Sequence, residues 1–411
     1  MAVPPPPPAS PPLRRGRVLL AACAIHVLHD GFLNSLYVLF PLMAAEFGLS
    51  YAQVGLMKTT YSAALSLFQI PAGLLAEVVG EVPLLLGGTA ALSGSLFLVG
   101  SAAAYAALLA ALAVGGTASG VQHPLASSLV ATAYEAGGWR RALGTYNFSG
   151  DLGKIFLPAA SGLLAVRFGW RGALLGLAGG GLFAVALLFL AARSHRPFPR
   201  GGGGRLRAAG VRGWGVTDRR RFAALAAVGM VDDATRTAVL TFLPFLLAGK
   251  GLSTGEVGVA LMLLFAGGAF GKYACGAVAE RAGVAGMVAV TEALTGAGIL
   301  GILFVPTTLL PFLLPPFGMV LNGTSSVLYA TVAEITAAGH RSRVYGLYYT
   351  LYLGAGAVAP VLWGLVSDRV GLPATWIAVA GVILGAVALA LPLRARRGGA
   401  EGLAGRPARR V

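Results

Sequence analysis

The sequence predicts an all-α membrane protein of twelve transmembrane helices in two pseudo-symmetric six-helix bundles, on three observations. The 411 residues are 56% hydrophobic and only 11% charged, with a mean hydropathy of +0.77, which is too apolar for an ordinary soluble domain. The apolar residues fall in runs near the ~20 residues a helix needs to cross a hydrocarbon core about 30 Å thick. The second set of runs repeats the first in register.

In order, the runs lie near 18–45, 52–77, 82–101, 105–134, 142–166, 170–192, 222–247, 255–280, 284–305, 308–338, 343–367 and 373–393. Residues 1–17, with their prolines, form an expected disordered extension. Residues 18–192 are the N-terminal six-helix bundle and 222–393 the C-terminal one, joined by a basic linker at 193–221 and followed by a basic tail at 394–411. The first run is too long for a removed leader and lacks a small-residue cleavage site, so it reads as a span. Gly201 to Gly204 make the linker flexible enough for the halves to rock.

The formal net charge of +16 does not point to nucleic acid, because the basic residues are distributed by side. With the N-terminus inside, Arg14, Arg15, Arg17, Arg140, Arg141, Arg281, Arg341, Arg343, the linker and the tail all face the cytoplasm, while the other side keeps Arg167, Arg171, Lys250 and Arg369. That is the positive-inside pattern, and it predicts both termini in the cytoplasm with anionic lipid headgroups beside these loops. Arginine outnumbering lysine, with abundant alanine and glycine, points to a GC-rich bacterial genome and so to the inner membrane. Cys23 and Cys275 both fall inside apolar runs, without disulfide or metal spacing.

Sliding the chain on itself by 202 to 203 residues carries Asp30, Pro41, Leu49, Ser50, Gly55, Gly73, Glu77 and Gly80 onto Asp233, Pro244, Leu252, Ser253, Gly258, Gly276, Glu280 and Gly283. Further on, Arg141, Gly144, Tyr146, Pro158, Gly162 and Gly169 fall on Arg343, Gly346, Tyr348, Pro360, Gly364 and Gly371, although Gly153 meets Ala355. Six spans per repeat make the halves parallel, as in transporters whose site lies at the midplane between them.

These residues resemble a known family. The loop Gly73-Leu-Leu-Ala-Glu77-Val-Val-Gly80 and its repeat Gly276-Ala-Val-Ala-Glu280-Arg281-Ala-Gly283 are similar to the cytoplasmic signature of the major facilitator superfamily, in which they would act as gating loops. His29-Asp30, Pro41-Leu42, Phe47 to Gly55, Tyr61, Ser66, Gln69 and Gly120-Val-Gln-His123-Pro124 resemble its fosmidomycin-resistance-like branch of drug/proton antiporters. The chain departs from the pattern at Val78, where the signature carries a base, at Glu81 and Pro83, and at Ser128, where the branch carries arginine. The resemblance implies the major facilitator fold, a monomer, and spans 1, 4, 7 and 10 lining a central cavity that gathers Asp30, His123, Asp233 and Asn322.

A charge at the bilayer centre costs about 2.5 to 3.5 kcal/mol on insertion scales, so each one kept inside a span is a candidate for function. On span 1, His26, Asp30, Asn34 and Tyr37 share a face, with His29 beside them. Asp30 has no basic neighbour there except histidine, and Asp233 occupies the equivalent place on span 7. Facing one another, these carboxyls would raise each other's proton affinity, with His26 or His29 passing the proton on. Asp232 or Asp233 could equally neutralise Arg236 one turn away.

On span 5, Asn147, Asp151 and Lys154 share a face, and the last two could either pair locally or contact substrate. Lys58 sits in the outer third and could snorkel to the interface. Lys272 lies deeper and suits an anion or a gate. His123 precedes Pro124, which breaks the helix. A tyrosine stripe at 345, 348, 349 and 352 suits either an organic ligand or packing.

No phosphate-binding glycine pattern links a strand to a helix, so no nucleotide cofactor is expected, and no catalytic constellation is found. The sequence therefore predicts a secondary transporter, by preference a proton-coupled exporter of a small organic molecule or drug working by alternating access. Alternatives are a divalent-cation carrier using His26, His29, Asp30, Asp232 and Asp233, and a sensor or membrane enzyme without transport.

Overall fold

The structure, a computed structural model, describes residues 12–135, 137–193, 215–337 and 341–393. The expected extension up to residue 11, linker residues 194–214 and the tail from 394 lie outside the described residues. The helices are α1 (Pro12–Phe47), α2 (Tyr51–Val79), α3 (Glu81–Ser101), α4 (Tyr105–Ser119), α5 (Gln122–Ala133), α6 (Trp139–Arg193), α7 (Arg219–Gly249), α8 (Thr254–Phe304), α9 (Leu310–Glu334), α10 (Arg341–Val370) and α11 (Leu372–Leu389). Only one isolated β-bridge, Val216 with Thr336, occurs among the described residues.

Two of these helices are two legs each. Gly169 in α6 (φ 70°) and Gly283 in α8 (φ 72°) stand at positive φ inside them, a conformation that costs glycine little and L side chains much. Conversely, α4 and α5 are pieces of one leg. The eleven helices thus form twelve legs, consistent with the expected spans. Nine described stretches are long and apolar enough to cross a membrane; α7 falls outside that count because Asp232, Asp233 and Arg236 crowd its centre. Two edges differ from expectation: α1 begins at Pro12, inside the predicted extension, and α7 begins at Arg219, inside the predicted linker.

The repeat extends to backbone detail. Positive-φ turn glycines occur in repeat-related pairs, Gly48 with Gly251, Gly80 with Gly283, and Gly169 with Gly371. Capping boxes recur as well: Ser50 with Gln53 starts α2, and Ser253 with Glu256 starts α8.

Packing differs between the two ends of the molecule. One large apolar core runs through both halves, joining Leu39, Met57 and Leu174 to Leu243, Leu261 and Trp376. Two smaller cores lie wholly within one half each, around Leu125 and Tyr146 in the first and around Leu328 and Tyr348 in the second. At the shared end Asp368 accepts from the backbone N–H groups of Tyr51 and Ala52 at 2.8 and 3.0 Å, and the Thr59 hydroxyl donates to the Ala357 carbonyl at 2.6 Å. Gly162 there packs against Thr254 and Gly258. At the other end, nothing lies within 4 Å of where a Cβ would stand on Gly73, Gly144, Gly276 or Gly346. Among the described residues, the halves share one apolar core at the first end and keep separate cores at the other.

Candidate transport site

The site begins on α1, where His26 and Asp30 stand one turn apart. His26 Nδ1 lies 2.8 Å from the Tyr146 carbonyl oxygen, and its ring stacks on Tyr146 at 4.4 Å. A carbonyl only accepts, so Nδ1 carries the hydrogen and Nε2 is left with a lone pair in the neutral ring. Nε2 faces Asp30 Oδ2 at 3.3 Å. In that tautomer neither Nε2 nor the ionised carboxylate has a hydrogen to share, so a hydrogen bond across this contact needs one added proton. Gly150 makes room, since a Cβ there would meet both the His26 ring and the Asp30 carboxylate.

Lys154 from α6 sits 3.0 Å from the same Asp30 oxygen. His123 approaches Asp30 Oδ1 at 3.9 Å, with its side chain 48% exposed. The helix break predicted there exists: α4 stops at Ser119 and α5 restarts at Gln122, because Pro124 has no N–H to give to the preceding turn. Lys154 and Lys272 are partly exposed as well, with 30% and 38% of their side chains accessible.

From Lys154 the ion pairs continue. Its ammonium is 3.4 Å from Asp151, and Asp151 holds Lys272 of α8 with Nζ–O distances of 2.7 and 2.6 Å. A continuous series, His26 to Asp30 to Lys154 to Asp151 to Lys272, therefore crosses from the first half to the second. Two sequence expectations are corrected here. Asp30 does have a basic partner beyond histidine, Lys154, brought over from another helix. Asp151 and Lys154 are not simply a local pair, because each has a nearer partner elsewhere. Lys272, expected to suit an anion or a gate, bonds Asp151 across the two halves.

In the second half Asp233 pairs with Arg236 on its own helix, as one of the two readings held. Arg236 donates to the Tyr352 hydroxyl at 3.1 Å, and that hydroxyl donates to Asp232 at 3.3 Å. Asp30 and Asp233 are thus not facing carboxylates; each is neutralised by a cation of its own half. The repeat explains the asymmetry. Lys154 is equivalent to Gly356, and a Cβ at Gly356 would run into the Asp233 carboxylate. With no lysine on α10, Asp233 takes its cation from α7. Tyr348 and Tyr352 of the stripe are buried in this network, and Tyr345, Tyr349 and Tyr329 stack around them.

Other predicted residues lie apart. His29 turns aside to the Thr89 hydroxyl of α3 at 3.0 Å. Asn34 donates to the backbone carbonyl of Asp30 at 2.6 Å. Asn322 donates to the Gly318 carbonyl of its own helix and packs against Gly268. Asn147 is exposed, one turn before Asp151. Lys58 does not snorkel: it is buried, bonds Ser62 at 2.6 Å and lies over the Tyr37 ring. Glu77, Glu280 and Arg281 of the expected gating loops are exposed and form no ion pair among the described residues.

Sequence reasoning missed Glu292, fully buried on α8, although a lone acid inside an apolar run was the signal. Of the residues expected to meet, His26, Asp30 and His123 do so, with donor atoms within 4.8 Å of one another. Their atom types suit a divalent cation, but the Lys154 ammonium already on Asp30 would repel one.

The family model described as Major Facilitator Superfamily matches residues 22–360 and, a second time, 225–408. The chain belongs to the Major Facilitator Superfamily. As a member it is a transporter and not an enzyme. Among curated proteins, the Fosmidomycin resistance protein of Escherichia coli (strain K12) is 30% identical over 155 residues. The aligned stretch spans 37% of each chain. A bacterial homolog of the human lysosomal transporter Spinster, solved in an inward-facing and unoccupied conformation, superposes with a TM-score of 0.79 at 17% identity, over 93% of this chain and 98% of that one. The nucleoside transporter NupG gives 0.74 at 13% identity, over 92% and 98%. These structures share the fold.

Proposed function

We propose that this superfamily member is a proton-coupled secondary transporter of the bacterial inner membrane that exports a small organic molecule by alternating access. The observation that carries the reading is the ion-pair series running from a partly exposed histidine–carboxylate cluster to a salt bridge that joins the halves. A proton reaching His123 passes to Asp30 or to Nε2 of His26. Neutralising Asp30 removes the anion that holds Lys154, which then turns to Asp151 at 3.4 Å and competes with Lys272 for it. The bond between the halves weakens as a direct result of proton uptake. Loss of the proton reverses each step.

The basic-loop asymmetry supports termini in the cytoplasm. With that orientation the end with the shared core is the outer one, and the cavity opens inward to collect its cargo. The name of the curated relative makes fosmidomycin the first compound to try, and the partly exposed ammonium groups of Lys154 and Lys272 suit an anionic one. The protein works as a monomer, with six helices on each side of one cavity.

The test is flux in proteoliposomes holding the purified chain and a pH dye. Wild-type protein should move protons when a fosmidomycin gradient is imposed, and Asp30→Asn should reduce that movement by tenfold or more, about 1.4 kcal/mol or more of lost coupling. Equal proton movement by the two proteins would remove Asp30 from the coupling role. A second reading, a divalent-metal carrier, draws on the compact His26, Asp30 and His123 donors and requires Lys154 to leave Asp30; zinc stabilising the wild type but not His123→Ala would point there.

A further inference from the structure

The interior of the second half holds one more acid than its cations neutralise. Asp232, Asp233 and Glu292 are buried there. The cations in range are Arg236, on α7, and Lys58, reaching across from α2 within the electrostatic range of Asp233 and Arg236. Three carboxyl groups against two bases leave one negative charge in surroundings that do not solvate it. A single bound proton makes the group neutral.

Glu292 is the member with least support. It is 0% exposed, and neither carboxyl oxygen has a hydrogen-bond partner. An ionised carboxylate in that state would cost far more than the proton that neutralises it. The groups facing it are Asp232 from α7, Cys275 from the first leg of α8, and Thr324 from α9. The Thr324 hydroxyl is turned to the Val320 carbonyl at 3.3 Å, and the neighbouring Thr291 hydroxyl to the Met287 carbonyl at 3.0 Å. Helix α11, which packs on the same leg, has no titratable side chain between Leu372 and Leu389.

The repeat provides an independent observation. At the 203-residue offset that carries Asp30 onto Asp233, His29 falls on Asp232 and Thr89 on Glu292. His29 and Thr89 are joined by a 3.0 Å hydrogen bond. Equivalent buried positions on the first and third legs thus hold imidazole and hydroxyl in the first half and two carboxyls in the second. Two carboxyls in a dry interior with too few cations do not both ionise, because neither charge is solvated there.

We infer that Glu292 is a second proton-binding residue, sharing one proton with Asp232 inside the second half, separate from the His26–Asp30 cluster. Asp232 also accepts from Tyr352, which Arg236 in turn contacts. The place of the shared proton therefore determines whether Arg236 faces one anion or two.

Infrared spectroscopy of the full chain in lipid, following the carbonyl stretch of protonated carboxylic acids against pH, tests this. The wild type should show a carboxylic-acid band at neutral pH that Glu292→Gln removes. In Asp232→Asn the band should remain but vanish at lower pH, reflecting a roughly tenfold weaker hold on the proton once the neighbouring acid is gone. A band unchanged by Glu292→Gln would overturn the assignment, and so would an Asp232→Asn profile identical to wild type. If Glu292→Gln does not fold, the Asp232→Asn profile decides alone. Neither measurement involves transport, so failure here and failure of Asp30 coupling are distinguishable.

Discussion

Asp30 holds three neighbours at once, His26, His123 and Lys154, and each responds differently to a proton. Removing Lys154 while keeping its bulk, as Lys154→Met, leaves Asp30 without its ammonium, whereas Asp151 retains Lys272. The orphaned carboxylate should lower stability by up to about 3 kcal/mol, the low end for breaking a buried ion pair. Thermal unfolding in detergent checks this, and adding Asp30→Asn to Lys154→Met should restore most of the loss. A double variant no more stable than Lys154→Met would mean that the pair does not act as a unit. This pair was not legible in the sequence. Spacing along one helix fixes which residues share its face, and so His26 with Asp30 could be read. The rotation of α6 against α1, which brings Lys154 to Asp30, is set by packing, including the close approach of Gly153 to Val27. Glu292 is the reverse case: the lone acid was visible in its apolar run, but its place opposite Asp232 depends on the tertiary fold.

At the scale of elements, most of what positions the site could be read directly. Leg lengths follow from bilayer thickness, turns from glycines whose φ is positive, and the broken fourth leg from Pro124. What the pattern did not disclose is why the halves use different cations. Gly356 decides it by leaving open the space that the Asp233 carboxylate occupies. Gly356→Ala should therefore lower stability by about 1 to 3 kcal/mol through overpacking against Asp233. Gly346→Ala on the same helix meets no atom within 4 Å and should raise stability by up to about 1 kcal/mol through unfolded-state entropy. Melting temperatures of the two variants that move together would contradict this account of the helix.

For the whole molecule, the fold behaves as two bodies sharing one core at one end. The carboxylate of Asp368 caps the start of α2 across the interface, a charge-assisted contact of about 1.5 to 3 kcal/mol. The Asp151–Lys272 bridge lies deeper, near the cavity. A change of about 1.4 kcal/mol at either place shifts the balance between open states tenfold, so one proton at Asp30 is energetically sufficient to move it. The central claim is that proton uptake at Asp30 is transmitted to the relative position of the halves. It is tested most directly by electron-spin distance measurements between labels on Gly73→Cys and Gly346→Cys, at the end with separate cores, in a chain carrying Cys23→Ser and Cys275→Ser. Between alkaline and acidic pH the distance distribution should shift, and adding Asp30→Asn should hold it at the acidic distribution throughout. A pH response that survives Asp30→Asn unchanged would contradict the account.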